Sequence, residues 1–376
     1  MSNRTVYISC GGTGGHFFPG LSIARELKKR NESVQLLLSG VNALPQSRQA
    51  AEQGIASVEL PKMPSPGRNP VKLLLFLLGL AGGFFKTFFL FLFRRPRYLI
   101  IMGSFASAPA ALAAFFLCVP VYLHDGNARI GKANRFLSRI AKFMGTAFPA
   151  VNGSSCRCPV ICTGMPLRPE LEEKRGISKS EALAALNREY NAQLKEELFT
   201  ILIFGGSQGA ATINNNLPHA LNSLAGKVFQ VIHLTGKGKL EETLKLYEKS
   251  SFPRLVLESS PLMELFLGSA DLVFSRSGGS SVAELALFGK NAVLVPYPYA
   301  AEGHQSDNAD FYVTCGGGVK VTDQELTPAL AAELITTYLD DPELGAQRRQ
   351  GASKAAMPDA AARFLELIET KGFSHV

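Results

Sequence analysis

Short runs that are apolar throughout alternate with stretches of helical periodicity, and the alternation takes the same form in both halves of the chain. In the first half, strand-like runs at 6–9, 34–38, 98–102 and 119–123 are separated by helical patterns at 19–29, 72–93 and 109–116. In the second half, strand-like runs fall at 199–204, 228–235, 255–258, 272–275, 292–296 and 319–321, with a helical pattern at 210–224 behind the first of them. A continuous apolar run marks a strand buried on both faces, and strand–helix alternation puts parallel strands between two helical layers. The pattern therefore predicts an α/β chain of two doubly wound, Rossmann-like domains.

The segment Gly164-Met165-Pro166-Leu167-Arg168-Pro169 interrupts both patterns. It predicts a first domain over 1–164 and a second over 165–342, with a helical tail at 343–376 packing back on the first. The charged region 170–197 reads as a solvent-facing lead-in.

Two glycine-rich turns stand out against this frame. Gly11-Gly12-Thr13-Gly14-Gly15-His16 and Gly205-Gly206-Ser207-Gln208-Gly209-Ala210 lie 194 residues apart, each between a strand and a helix. Glycine lets the backbone come close to a ligand, and the unpartnered N–H groups of a helix's first turn attract anions. One such turn is ordinary loop chemistry. Two at half-length spacing point to phosphate-bearing ligands.

The composition, 46% apolar and 19% charged over 376 residues, suits two globular cores. The net charge of +8 hides an asymmetry: residues 1–168 carry 20 Lys and Arg against 5 Asp and Glu, a net of +15, and the remainder carries 19 against 26, a net of −7. Within the basic half lies KLLLFLLGLAGGFFKTFFLFLF, residues 72–93, followed by Arg94, Arg95 and Arg97. Its length permits a membrane span, a buried core helix or an interfacial helix. Lys86 within it, its three glycines and the strand that follows argue against a span, and the basic flank points to an anionic membrane surface rather than nucleic acid. No secretory signal precedes the first strand, and the six irregularly spaced cysteines match reduced thiols in the cytoplasm rather than a metal cluster.

The ordered motifs together resemble a known family. They are Gly11 to Gly20, Gly103-Ser104-Phe105-Ala106-Ser107-Ala108-Pro109, His124-Asp125-Gly126-Asn127, Gly205 to Ala210, Arg276-Ser277-Gly278-Gly279 through Glu284, and His304-Gln305 with Asn308-Ala309. Nearly end to end, the chain is similar to the MurG family, the N-acetylglucosaminyltransferases of peptidoglycan synthesis. The resemblance implies a GT-B fold, with two domains facing across a cleft, UDP-N-acetylglucosamine held by the second and an undecaprenyl-diphosphate-linked muramoyl peptide by the first. It implies peripheral attachment to the cytoplasmic face of the bacterial inner membrane. It implies inverting transfer to the 4-hydroxyl of the muramoyl residue without metal or cofactor, and no Asp-x-Asp pair occurs in the sequence.

By the same resemblance, Gly11, Gly12, Gly103, Ser104 and Ser107 meet the acceptor, whereas Thr13, Gly14, Gly15, Asn127 and Arg168 reach the donor. Ser207 and Gln208 belong to its diphosphate turn. Ser260, Met263 and Arg276 flank the uracil. Gly278 and Gly279 open a helix on which Glu284 grips the ribose, since a carboxylate accepts from two vicinal hydroxyls. His304 and Gln305 address the sugar hydroxyls, and His304 stands where the family usually has a glutamine. For the general base, His16 at a helix start is favoured as a neutral imidazole. Asp125, where the family usually has Glu, is the competing base. Two rival activities share the architecture: another lipid glycosyltransferase of this fold, and a UDP-N-acetylglucosamine 2-epimerase.

Overall fold

The computed structural model describes residues 4–371 apart from 13, 41, 64–69, 207 and 225. The chain divides into two compact units, one holding the residues up to Arg168 together with those from Asp359 onward, the other Pro169–Pro358.

The first unit is built on a seven-stranded parallel sheet. Its strands are β1 (Val6–Gly11), β2 (Val34–Ser39), β3 (Ala56–Glu59), β4 (Leu99–Ile101), β5 (Val121–Asp125), β6 (Phe143–Thr146) and β7 (Val160–Cys162), in the order β3-β2-β1-β4-β5-β6-β7. Side chains alternate between two cores, because successive residues of a strand point to opposite faces. Val6, Ile8, Leu36, Leu38 and Ile100 face the helices Gly14–Lys29 and Ala360–Lys371. Tyr7, Leu37, Leu99 and Ile101 face the helix Ala108–Phe116.

The second unit carries β8 (Phe199–Phe204), β9 (Phe229–Leu234), β10 (Arg254–Leu257), β11 (Leu272–Ser275), β12 (Ala292–Leu294) and β13 (Gly318–Lys320), all parallel, in the order β10-β9-β8-β11-β12-β13. In each sheet the order reverses beside the first strand, between β1 and β4 and again between β8 and β11. At such a switch point the loops leaving neighbouring strands diverge and open a crevice at the carboxyl edge. Both glycine-rich turns leave the strand at that edge.

Several expectations change. The strands β3, β6 and β7 have no sustained apolar run to announce them; β3 is an edge strand of exposed and half-buried residues, and β6 contains Gly145, against which Phe364 packs. The region 170–197 is folded, not a lead-in. Helix Lys179–Tyr190 opens with a Ser178/Glu181 capping box and buries Ala182, Leu183 and Leu186 against the helix Met263–Ser269. Its charges are the outer face of an amphipathic helix. The crossing point lies at Arg168/Pro169, and the tail is two helices with different allegiances. Pro342–Lys354 stays with the second unit, its Gly351 so close to the Gly316 backbone that a Cβ would stand 2.4 Å away. Only Ala360–Lys371 joins the first unit, burying Phe364, Leu365 and Ile368. Each of those three side chains contributes about 1.5–3 kcal/mol.

The apolar segment forms one helix, Pro70–Phe93, long and apolar enough to cross a membrane, with 17% of its most apolar window buried. The wholly internal reading is overturned. Leu74, Leu78, Phe85 and Phe89 are each more than half exposed, whereas Thr87 and Phe91 are covered. Its glycines serve contact rather than breaking the helix: a Cβ on Gly79 would stand 2.7 Å from the Lys62 carbonyl, and one on Gly83 3.1 Å from Pro109.

Candidate active site

In the first unit, the loops leaving β1, β4 and β5 lie side by side. His16, in the first turn of helix Gly14–Lys29, makes a 2.8 Å hydrogen bond from Nδ1 to the carbonyl of Met102 at the end of β4. A carbonyl only accepts, so Nδ1 carries a proton, and in the neutral ring Nε2 carries the lone pair. The ring rests on Gly103, where a Cβ would stand 3.2 Å from Cε1. Gly14 and Gly15 are exposed at the helix start. Thr13 lies outside the described residues.

In the loop after β4, Ser104 adopts φ 72° and its hydroxyl accepts from the Ala106 amide. Ser107 is buried, and its hydroxyl donates to the Gly103 carbonyl at 3.0 Å. Ser107 therefore shapes the loop, and its hydroxyl oxygen keeps its acceptor capacity. Arg168 lays its guanidinium over the Phe18 ring at 5.8 Å, behind the first glycine turn.

Asp125 is engaged within its own loop. Oδ1 accepts from the Asn127 amide, and Oδ2 accepts from the Gly131 amide and the Asn134 side chain, at 3.0–3.1 Å. With 6% exposure and three N–H donors of its own loop and the helix that follows on its two oxygens, it is a brace that holds Asn127 in place. Its neighbour His124 is buried, donating Nε2–H to the Gly164 carbonyl at 2.9 Å. Burial holds its pKa down, against the opposing pull of that carbonyl and of Asp125.

In the second unit, the loops leaving β8, β11 and β12 are likewise contiguous. Gly205, Gly206, Gln208 and Gly209 form the turn after β8; Ser207 lies outside the described residues. After β11, Gly278 in extended conformation caps helix Gly279–Leu287, and half-buried Glu284 lies about 7.5 Å along the axis from Gly279. Gln305 accepts from the Tyr297 amide through Oε1, so its NH2 group is what the side chain offers a ligand. His304 donates Nδ1–H to the Ala301 carbonyl. Asn308 is buried and donates to the Ser277 carbonyl, while the Ser277 hydroxyl donates to the Gln305 carbonyl. These bonds tie the 276–284 segment to the 304–308 segment, and Asn308 closes the turn.

Arg276 is also a brace. Its guanidinium donates to the carbonyls of Val295 and Pro296 at 3.2 Å and pairs with Asp323 at 2.5 Å, and the second Asp323 oxygen takes the Thr212 hydroxyl. It thereby holds the ends of β11, β12 and β13 to the helix behind the glycine turn. The Ser260 hydroxyl is engaged by Tyr190 at 2.7 Å and by the Leu262 amide, and Met263 starts the next helix.

Behind this edge His233 is wholly buried, and burial drives its pKa down to about 3. The unfolded chain protonates such a histidine near pH 6.5 and the folded chain does not, so stability present above pH 6.5 drains away as pH falls. His233 alone is expected to cost about 2 kcal/mol by pH 5, and His124 acts in the same direction. Urea unfolding at pH 7.5 and pH 5.0 checks this: the loss should shrink by that share in His233→Gln, and an unchanged loss contradicts it.

The same chain matches two family models, the glycosyltransferase family 28 N-terminal domain over residues 6–146 and its C-terminal domain over residues 200–364. The UDP-N-acetylglucosamine–N-acetylmuramyl-(pentapeptide) pyrophosphoryl-undecaprenol N-acetylglucosamine transferase of Saccharophagus degradans is 33% identical over 97% of this chain and 91% of its own. The chain belongs to glycosyltransferase family 28. The transferase of the same name from Allorhizobium ampelinum is 32% identical over 98% of this chain and 96% of its own. Among solved structures, Acinetobacter baumannii MurG superposes with a TM-score of 0.77 at 28% identity, covering 97% of this chain and 99% of that one. The Neisseria meningitidis UDP-GlcNAc 2-epimerase shares the fold, with a TM-score of 0.70 at 14% identity. The chain is thus a family 28 glycosyltransferase with the two doubly wound units of the GT-B class.

Proposed function

We propose that this chain transfers N-acetylglucosamine from UDP-N-acetylglucosamine to the 4-hydroxyl of the muramoyl residue of undecaprenyl-diphosphate-linked lipid I, giving lipid II and UDP. The observation that carries the reading is near full-length similarity, at 32–33% identity, to transferases named for this reaction. The epimerase shares only the fold, which does not carry function.

The hydroxyl oxygen attacks the anomeric carbon as the bond from that carbon to the UDP oxygen breaks. Configuration inverts, the electron pair leaves with UDP, and the hydroxyl proton passes to Nε2 of His16. The leaving diphosphate is stabilised by the amides of the turn after β8 and by the first turn of helix Ala211–Ser223, Glu284 holds the ribose, and Gln305 donates to the sugar. Gly11, Gly12, Gly103 and Ser104 line the acceptor side. The test is transfer of labelled N-acetylglucosamine to a short-chain lipid I analogue. Release of epimerised sugar instead of a disaccharide product defeats the reading.

The acceptor's lipid lies in a membrane, and the exposed face of helix Pro70–Phe93 is the proposed attachment. Phe115 and Phe116 extend this apolar surface from the adjoining helix, both more than half exposed, and Lys72, Arg94 and Arg95 flank it. Each cation near an anionic surface contributes about 1 kcal/mol, screened beyond about 8–10 Å. Binding to anionic vesicles should fall with salt in the wild type. Replacing Leu74, Leu78, Phe85 and Phe89 by serine should weaken it at every salt concentration while sparing a water-soluble acceptor. Phe84 and Phe88 are left intact because they pack on the core. Resistance to alkaline carbonate extraction marks a true span and overturns the peripheral attachment.

A further inference from the structure

Beneath the glycine turn of the second unit runs a buried chain of hydrogen bonds that the transfer chemistry does not use. Tyr247, His233 and Asn214 are all at most 4% exposed. The Tyr247 hydroxyl lies 3.0 Å from His233 Nδ1, His233 Nε2 lies 3.1 Å from Asn214 Oδ1, and Asn214 Nδ2 donates to the Thr235 carbonyl at 2.8 Å. We infer that His233 and Asn214 are positioning residues for the donor's diphosphate, acting on the glycine turn through the carbonyl of Thr235. This rests on the reading of the second unit as the donor-binding unit.

The Thr235 carbonyl is where the turn is seated. Gly209 has φ +70°, and a Cβ there would stand 2.2 Å from that oxygen; Gly236 has φ +86°, and a Cβ there would stand 2.1 Å from the Gly209 nitrogen. Turn and carbonyl are therefore in backbone contact, and a shift of one moves the other. Asn214 lies in the first turns of helix Ala211–Ser223, its amide donating to the Ala210 carbonyl at 2.8 Å. One residue thus joins the helix whose amides face the diphosphate, through its backbone, to the carbonyl that supports the turn, through its side chain.

The order of the chain sets the amide's orientation. A carbonyl accepts, so Asn214 must present its NH2 group to Thr235 and its oxygen to His233. His233 then has to donate from Nε2, which leaves Nδ1 to accept from the Tyr247 hydroxyl. With the other tautomer, a histidine lone pair would face the amide oxygen. The amide would then turn over, and the Thr235 carbonyl would lose its donor. Burial strengthens each bond and makes an orphaned group costly.

The experiment compares folded wild type with Asn214→Leu, His233→Leu, His233→Gln, Tyr247→Phe and a core variant of the first unit, Ile368→Ala. UDP affinity is measured by calorimetry, KM for donor and for acceptor by steady-state kinetics, and stability by thermal unfolding. Asn214→Leu and His233→Leu should raise the UDP Kd and the donor KM about tenfold, with acceptor KM within about twofold. His233→Gln, which keeps a donor for the Asn214 oxygen, should recover most of that affinity, and Tyr247→Phe should lose about two- to threefold. Ile368→Ala should lower stability and leave Kd unchanged. The inference is overturned if the Asn214 and His233 variants lose stability with wild-type Kd, or if Ile368→Ala raises Kd as much as they do. Folded wild type that fails to bind UDP overturns the donor reading itself and the positioning role with it.

Discussion

Replacing His16 by alanine is expected to lower kcat by about 100-fold or more, since positioned general-base assistance supplies about 10²- to 10⁴-fold. UDP affinity should stay within about twofold, because the loss is of proton acceptance and not of donor contacts. The geometry behind this is the Nδ1–H bond to the Met102 carbonyl, which fixes the tautomer and leaves the Nε2 lone pair as the ring's proton acceptor. Asp125 supplies the contrast. Its carboxylate closes the 125–131 loop, so Asp125→Asn should lower thermal stability and raise KM more than it lowers kcat. Steady-state kinetics on both variants decides the matter. A His16→Ala enzyme with kcat within about threefold of wild type removes His16 as the base.

Glu284→Ala is expected to weaken UDP and UDP-N-acetylglucosamine equally, by about 1.5–3 kcal/mol, the cost of losing a charged acceptor for hydroxyl donors. Equal loss is the diagnostic feature, since the two ligands share the ribose and differ in the sugar. Glu284 stands half-buried in a helix whose amino end, Gly278 and Gly279, lies at the carboxyl edge beside the turn after β8. Gln305→Ala should weaken the sugar nucleotide alone if, as proposed, its amide donates to the sugar. Calorimetric titration of both ligands reads the difference, and intact UDP affinity in Glu284→Ala ends the ribose assignment.

What was legible in the sequence follows from where its signals are local. The central strands β1, β4, β8 and β11 are apolar on both faces, and a parallel strand covered on two sides must be so. The glycine turns were legible because a sharp exit from a strand into a helix restricts the residues allowed there. The long helix Pro70–Phe93 was legible from its apolarity, but which of its faces is covered was not, since its residues are apolar all round.

The sequence by itself determined two α/β halves with phosphate-suited turns at equivalent places, and the membership of a transferase family. Only the tertiary structure decided that Asp125 and Arg276 are braces, that Ser107 closes a loop, that Pro342–Lys354 stays with the second unit, and that His16 is held in one tautomer. Each of these depends on a partner from another loop or helix: Met102 lies 86 residues from His16, and Asp323 lies 111 residues from Thr212. Periodicity and propensity report how a residue fits its own element, whereas a hydrogen bond to a distant carbonyl or amide exists only once the sheet order has brought those two strand ends together.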